Sequence, residues 1–206
     1  GIKVVANMYL KAKKLAKKYH LKFTLEESPA ESAARRLAKS DMIYFPEESK
    51  EIVKGPADAE YYTNSIHLAA EADVSLVERI TEQSKYHSLI ESGAITHCFI
   101  GEERPDADAI AHLLTEVFHR TQSAQVCVSP EFTFCDNCHH QTRGLLEQCP
   151  ECGSTDVVGE TRVVGYFSKI QNWNKSKRYG ELLARHAGRY NITTADAEPT
   201  LATAEA

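Results

Sequence analysis

The chain has 206 residues, 42% of them apolar and 26% charged, enough for one large or two small folded units. Its net charge of -5 supplies no basic footprint, so direct nucleic-acid binding is not expected. No apolar run approaches the roughly 18–20 residues of a membrane helix and no signal-peptide pattern opens the chain, so the expected setting is a reducing cytoplasm without membrane attachment.

Gly1 stands where a methionine would begin a complete protein, and the text starts inside a helix-like pattern. The expectation is a C-terminal portion of something longer, or a processed or split subunit. Val5, Met8, Ala12, Leu15, Ala16 and Tyr19 recur at helical spacing and predict an amphipathic helix over 3–19, with five lysines on its solvated face. Leu21 to Leu25 alternates as a short strand. Ser28, Pro29 and Glu31 then read as N-cap, N1 and N3 of a helix ending near Lys39.

Residues 41–63 are loop-rich. Val74 to Tyr86 reads as a helix, His87 to Ser92 as a second short one stopped by Gly93, and Ile95 to Ile100 as a strand closed by Gly101. Asp106 opens a helix to about Thr121, with Ile110, Leu113, Leu114, Val117 and Phe118 as its apolar stripe; Gln125 to Val128 is a further strand. Alternation of strands and helices predicts an α/β fold with some parallel pairing. Cys98 and Cys127, on apparent strands, read as inert buried thiols. A basic helix from Lys175 to about Tyr190 and a disordered tail over 191–206 complete the chain.

Cys135, Cys138, Cys149 and Cys152 form C-x2-C-x10-C-x2-C, two knuckles able to close an all-thiolate tetrahedral shell around zinc. His139 and His140 adjoin the first knuckle, but four cysteines already complete the shell. A full shell leaves no position for substrate, so this zinc is expected to be structural.

Gly165 interrupts the strand-like run Thr161-Arg162-Val163-Val164-Gly165-Tyr166-Phe167, for which a bulge or tight turn is one explanation. With the cysteine knuckles before it and Trp173-Asn174-Lys175 after it, the segment closely resembles the C-terminus of anaerobic (class III) ribonucleotide reductases. Lys22-Phe23-Thr24-Leu25-Glu26 through Pro29-Ala30-Glu31-Ser32, Tyr61-Tyr62-Thr63-Asn64-Ser65 and Glu131-Phe132-Thr133-Phe134-Cys135 are similar to that family too. The resemblance spans all but about the last fifteen residues.

The resemblance implies the C-terminal half (1–130) of a glycyl-radical-enzyme α/β barrel, then zinc knuckles (131–157), a radical loop with terminal helix (158–190) and a tail (191–206). Gly165 would carry a backbone radical installed by a separate S-adenosylmethionine iron–sulfur activating enzyme, and a side chain there is expected to add strain and obstruct the loop. Val163, Val164, Tyr166 and Phe167 are expected to shield it, and the neighbouring zinc knuckles to hold it. Glu31 would sit near the substrate and manage protons, unless it only completes the capping box; the helix it opens would receive substrate phosphates. The resemblance further implies ribonucleoside triphosphates as substrates and a homodimer when complete. A thiyl cysteine must come from an N-terminal reductase portion, because neither Cys98 nor Cys127 is assigned that role. Two other functions are compatible with the residues: a spare radical domain that repairs a damaged enzyme, and a zinc-ribbon binding module without catalysis.

Overall fold

The computed structural model describes residues 1–64 and 66–193. In chain order the elements are α1 (Ile2–Tyr19), α2 (Glu31–Tyr44), the short α3 (Pro46–Ser49), α4 (Leu76–His87), β1 (Thr96–Gly101), α5 (Ala107–Arg120), β2 (Val126–Cys135), β3 (Gln141–Arg143), β4 (Val157–Arg162), β5 (Phe167–Lys169) and α6 (Leu182–Ala187), the last continuing a π-helical turn, Lys177–Glu181.

The ten-residue β2 organises the sheet. Its first half runs parallel to β1, in register from Thr96↔Val126 to Phe99↔Ser129, with α5 as the crossover. Its second half pairs antiparallel with β4, from Glu131↔Thr161 to Cys135↔Val157, and on its other side with β3. β4 turns back into β5, giving the order β1-β2-β4-β5. The α/β expectation with some parallel pairing therefore holds, in a mixed sheet.

Two apolar clusters support this frame. Leu76 and Ile80 of α4, Ala109, Leu113 and Val117 of α5, and Cys98 and Ile100 of β1 pack together with Ile192. Asp106 caps α5 by accepting from the backbone N–H of Asp108 at 2.8 Å, and Ser75 and Glu78 form a reciprocal capping box on α4. The second cluster, Val163, Ile170, Trp173 and Leu182, lies under the β4–β5 hairpin.

Several local expectations fail, each for a visible reason. Leu21 to Leu25 forms no strand: a ladder needs a partner, and only Glu26 forms an isolated bridge, to Ser92. α2 begins at Glu31 with Ala30 as an N-cap that makes no side-chain bond, so the box from Ser28 is absent; the helix also runs past Lys39 to Tyr44. Ala30 is held instead by its N–H donating to Asn64 Oδ1 at 3.2 Å. After His87 the chain makes a turn rather than another helix, and Gly93 (φ 79°) lies where a Cβ would strike the Glu27 carbonyl. Met8, Tyr19 and Phe118 are exposed, not core. The proposed tail begins too early: Ile192 is buried in the first cluster, while 194–206 lie outside the described residues.

Candidate metal centre and glycine loop

β2 delivers Cys135 at its end, and a tight turn brings Cys138 back, with the His139 N–H donating to the Cys135 carbonyl at 2.9 Å. The second knuckle closes similarly: Cys149 N–H donates to Ser154 O at 2.8 Å, and Gly153 (φ 70°) donates back to Cys149 O at 3.0 Å. All four Sγ atoms lie within 4.8 Å of one another, and the pairs Cys135–Cys152 and Cys138–Cys149 are each 3.6 Å apart. A tetrahedron with Zn–S bonds of about 2.3 Å has edges of about 3.8 Å, so the donor set and its spacing fit a structural zinc. Neither His139 nor His140 belongs to this cluster.

The electrostatics of Cys152 and Cys138 agree. The backbone N–H of Ser154 and the amide of Asn137 pull Cys152 down to about 6. Cys138 receives the backbone N–H of His140, yet desolvation and its three cysteine neighbours push it up to about 12. Four thiolates cannot share this space without a cation between them.

Gly165 lies elsewhere on the sheet. Cys135 and Val157 pair at the start of β4, whereas Gly165 follows its far end, on the order of 20 Å of extended chain away. The knuckles thus lie across the length of the β2–β4 ladder from the glycine, rather than beside it. Val163 N–H donates to Tyr166 O at 2.9 Å and closes the hairpin, leaving Val164 and Gly165 at its tip.

Two expectations about this loop are corrected. Gly165 does not have a positive φ, and a Cβ built on it meets nothing within 4 Å, so a side chain would neither strain nor obstruct the turn. The apolar shield is only half present: Val163 and Val164 are buried and Phe167 half-buried, but Gly165 is exposed and Tyr166 is 61% exposed. Arg162 Nη1 donates to the Gly165 carbonyl, and its guanidinium lies 4.6 Å from the Phe167 ring.

The fold does bring the glycine loop to the Pro29–Ser32 segment. One groove is lined by Glu26, Glu27, Pro29, Cys127, Val164 and Gly165, and the adjoining one by Pro29, Ser32, Val163, Tyr166 and Lys177. Glu31 is the first residue of α2, following Pro29 and Ala30 in the chain. Tyr62 N–H donates to Ala34 O at 3.3 Å, and Asn64 secures Ala30, so the Tyr61–Asn64 segment positions the start of α2. Cys98 is fully buried and burial pushes its thiol up to about 12, as an inert core thiol requires; Cys127 is half-buried at the groove.

Behind the loop lies an ionic cluster that sequence reasoning passed over. Lys177, Glu181 and Arg185 follow at intervals of four on the final helix, with Lys177 Nζ 2.9 Å from Glu181 Oε2 and Arg185 Nη2 on Glu181 Oε1. Burial alone would raise the Glu181 carboxyl, but Arg185 and Lys177 together hold it below the usual carboxylate range. Their Lys-x3-Glu-x3-Arg spacing was a visible signal for one helical face. Glu131 was likewise missed as an anchor: it binds His186 at 3.0 Å and Arg189 at 2.5 Å.

Comparison with known proteins matches residues 1–187 to the sequence profile of a family described as anaerobic ribonucleoside-triphosphate reductase. The chain is 27% identical over 179 residues to the Haemophilus influenzae protein of that name, covering 81% of this chain and 24% of the relative. It is 24% identical over 160 residues to the phage T4 protein, covering 76% and 25%. A solved anaerobic ribonucleotide reductase superposes with a TM-score of 0.73 at 25% identity, over 91% of this chain and 28% of that one. The Thermotoga maritima enzyme with dATP and CTP gives 0.67 at 24% identity, over 85% and 27%, and shows the same fold. The chain thus spans about a quarter of the length of the relatives it matches. Among the described residues no helix is long and apolar enough to cross a membrane.

Proposed function

The chain belongs to the anaerobic ribonucleoside-triphosphate reductase family, and on that premise we propose that it is the radical-bearing portion of such an enzyme, with Gly165 as the radical store. The observation that carries this reading is Gly165 itself. It stands in the motif that resembles the family's radical loop, yet its conformation and its packing leave room for a side chain. A chemical requirement remains. Without a Cβ the α-carbon radical can flatten, and the flanking amide nitrogen and carbonyl can share its electron. Arg162, donating to the Gly165 carbonyl, would favour spin density on that oxygen.

In this reading a cytoplasmic activating enzyme reductively cleaves S-adenosylmethionine with one electron from its iron–sulfur cluster. The resulting carbon radical removes a hydrogen atom from the Gly165 Cα. A cysteine of the N-terminal reductase portion then gives its hydrogen atom to Gly165, becomes a thiyl radical and abstracts hydrogen from the ribose 3′ carbon. The protonated 2′ hydroxyl leaves as water, the 2′ carbon gains hydrogen through two electrons and a proton from formate, oxidised to carbon dioxide, or from a pair of thiols, oxidised to a disulfide, and the 3′ hydrogen is returned. Glu31, which opens α2 just after Pro29 and Ala30, would manage the proton on the departing hydroxyl. Cys135, Cys138, Cys149 and Cys152 would hold zinc for structure alone.

The test is anaerobic incubation of the chain with its activating enzyme, S-adenosylmethionine, a reductant and the N-terminal portion, followed by electron paramagnetic resonance. A doublet is expected from the native chain and none from Gly165→Ala. A doublet that persists in the variant would overturn the assignment.

A further inference from the structure

We propose that Arg185 is a positioning residue that fixes the backbone of the Gly165 loop; the inference rests on Gly165 as the radical position. The residue is 3% exposed. Its Nη1 donates to the Arg162 carbonyl at 2.5 Å, and its Nη2 to the Val163 carbonyl at 2.8 Å. Successive carbonyls of an extended strand point in opposite directions, so one guanidinium reaches both only where the chain leaves β geometry. Arg185 therefore sets the point at which β4 ends and the loop begins. Val163 is the residue whose N–H closes the hairpin on Tyr166. Fixing its carbonyl fixes the plane from which Val164 and Gly165 project.

The clamp is itself immobilised. The guanidinium lies 4.5 Å from the centroid of Phe99 and 5.4 Å from that of Trp173, so it cannot swing away. Glu181 takes up the other side of Nη2, and Lys177 holds Glu181. The helix carrying all three packs as closely as glycine allows: a Cβ on Gly180 would come within 2.7 Å of the Ala59 carbonyl. A lysine at 185 offers a point charge rather than a planar fork, and could not hold both carbonyls in one plane.

Three variants test this: Arg185→Lys, Arg185→Gln, and Glu181→Gln with Arg185→Gln, the last removing both charges together so that no carboxylate is left without its arginine. Hydrogen exchange on the full chain is the first readout. The Val163 amide, bonded to the Tyr166 carbonyl, is expected to exchange about tenfold faster or more in all three, while those of β1 and α5 keep wild-type protection. The second readout is the radical doublet after activation, whose splitting or lifetime is expected to change in Arg185→Lys and in the double variant at unchanged zinc content. Wild-type loop exchange and an unaltered doublet in the folded double variant would overturn the proposal, as would an equal loss of protection across β1 and α5, which marks a purely structural arginine. The exchange experiment needs no radical, so it still reads Arg185 if Gly165 proves not to be the radical site.

Discussion

At Gly165 the structural and chemical reasons for glycine separate. A methyl group there meets open space, and the backbone lies outside the left-handed region, so Gly165→Ala is expected to fold normally. By restricting the unfolded chain it should even raise stability, by about 0.4–1 kcal/mol, measurable by urea unfolding. The same substitution is expected to remove the radical doublet completely. A destabilisation of several kcal/mol would instead mean that the turn itself demands glycine. The sequence singles out Gly165 through its motif but misjudges its geometry, since a φ angle is not written in neighbouring residue types. Arg185 is less legible still. Its partners are the main-chain carbonyls of Arg162 and Val163, more than twenty residues away, and carbonyl acceptors carry no sequence signature.

Among the elements, the β2–β4 ladder joins the two features of interest, with thiolates at one end and the loop at the other. The inward face of β2 is polar: Ser129, Glu131, Thr133 and Cys135 are buried in alternation. Thr133 donates to Gly144 O at 2.6 Å and accepts the Leu146 N–H at 2.9 Å, and Leu145 packs against the second apolar cluster, so residues 144–146 are tied to the sheet while the rest of the knuckle region rests on turn hydrogen bonds and the four-cysteine site. Zinc binding is therefore expected to supply most of its local stability. Chelation, or Cys149→Ser, should abolish the one-per-chain zinc and speed amide exchange over 136–156 about a hundredfold or more, while α5 and β1 remain protected. Unchanged exchange on metal loss would refute a structural role. The four-cysteine cluster was readable because knuckle spacing encodes it locally. The expected strand at Leu21 to Leu25 failed for the converse reason, since alternation describes a face but not a partner.

At the scale of the whole molecule, the C-terminal segment is drawn back across the sheet by buried polar groups. Arg79 donates to Tyr190 Oη at 2.7 Å and to carbonyls of 68–70; Glu131 holds His186 and Arg189; and Ile192 fills the core. Such an arrangement should be sensitive to acid, in two stages. Burial, with the nearby His67, pushes His87 down to about 4 and His97 to about 3, so both are neutral in the folded chain below the usual histidine range. His87 Nδ1 accepts the Ala124 N–H at 2.9 Å, a bond that protonation would destroy. Unfolded histidines take up protons near pH 6.5, so between about pH 6.5 and 4 the unfolded state binds more protons and stability falls as pH falls. Glu131 and Glu181 are held below the usual carboxylate range by their arginine, lysine and histidine partners, despite burial that opposes it. Their contribution is complete above the unfolded carboxylate value and is lost at lower pH, as acid titrates them in the folded chain. Urea unfolding of the native chain should therefore show a decline beginning near pH 6.5, before any carboxylate titrates. His87→Gln should flatten part of that decline. Because acid also displaces zinc from thiolates, the decisive quantity is the difference in slope between native and variant chains, from which the shared metal contribution cancels. Identical slopes between pH 7 and 5 would remove His87 from the account and leave His97 and the cysteine site as the sources of acid sensitivity.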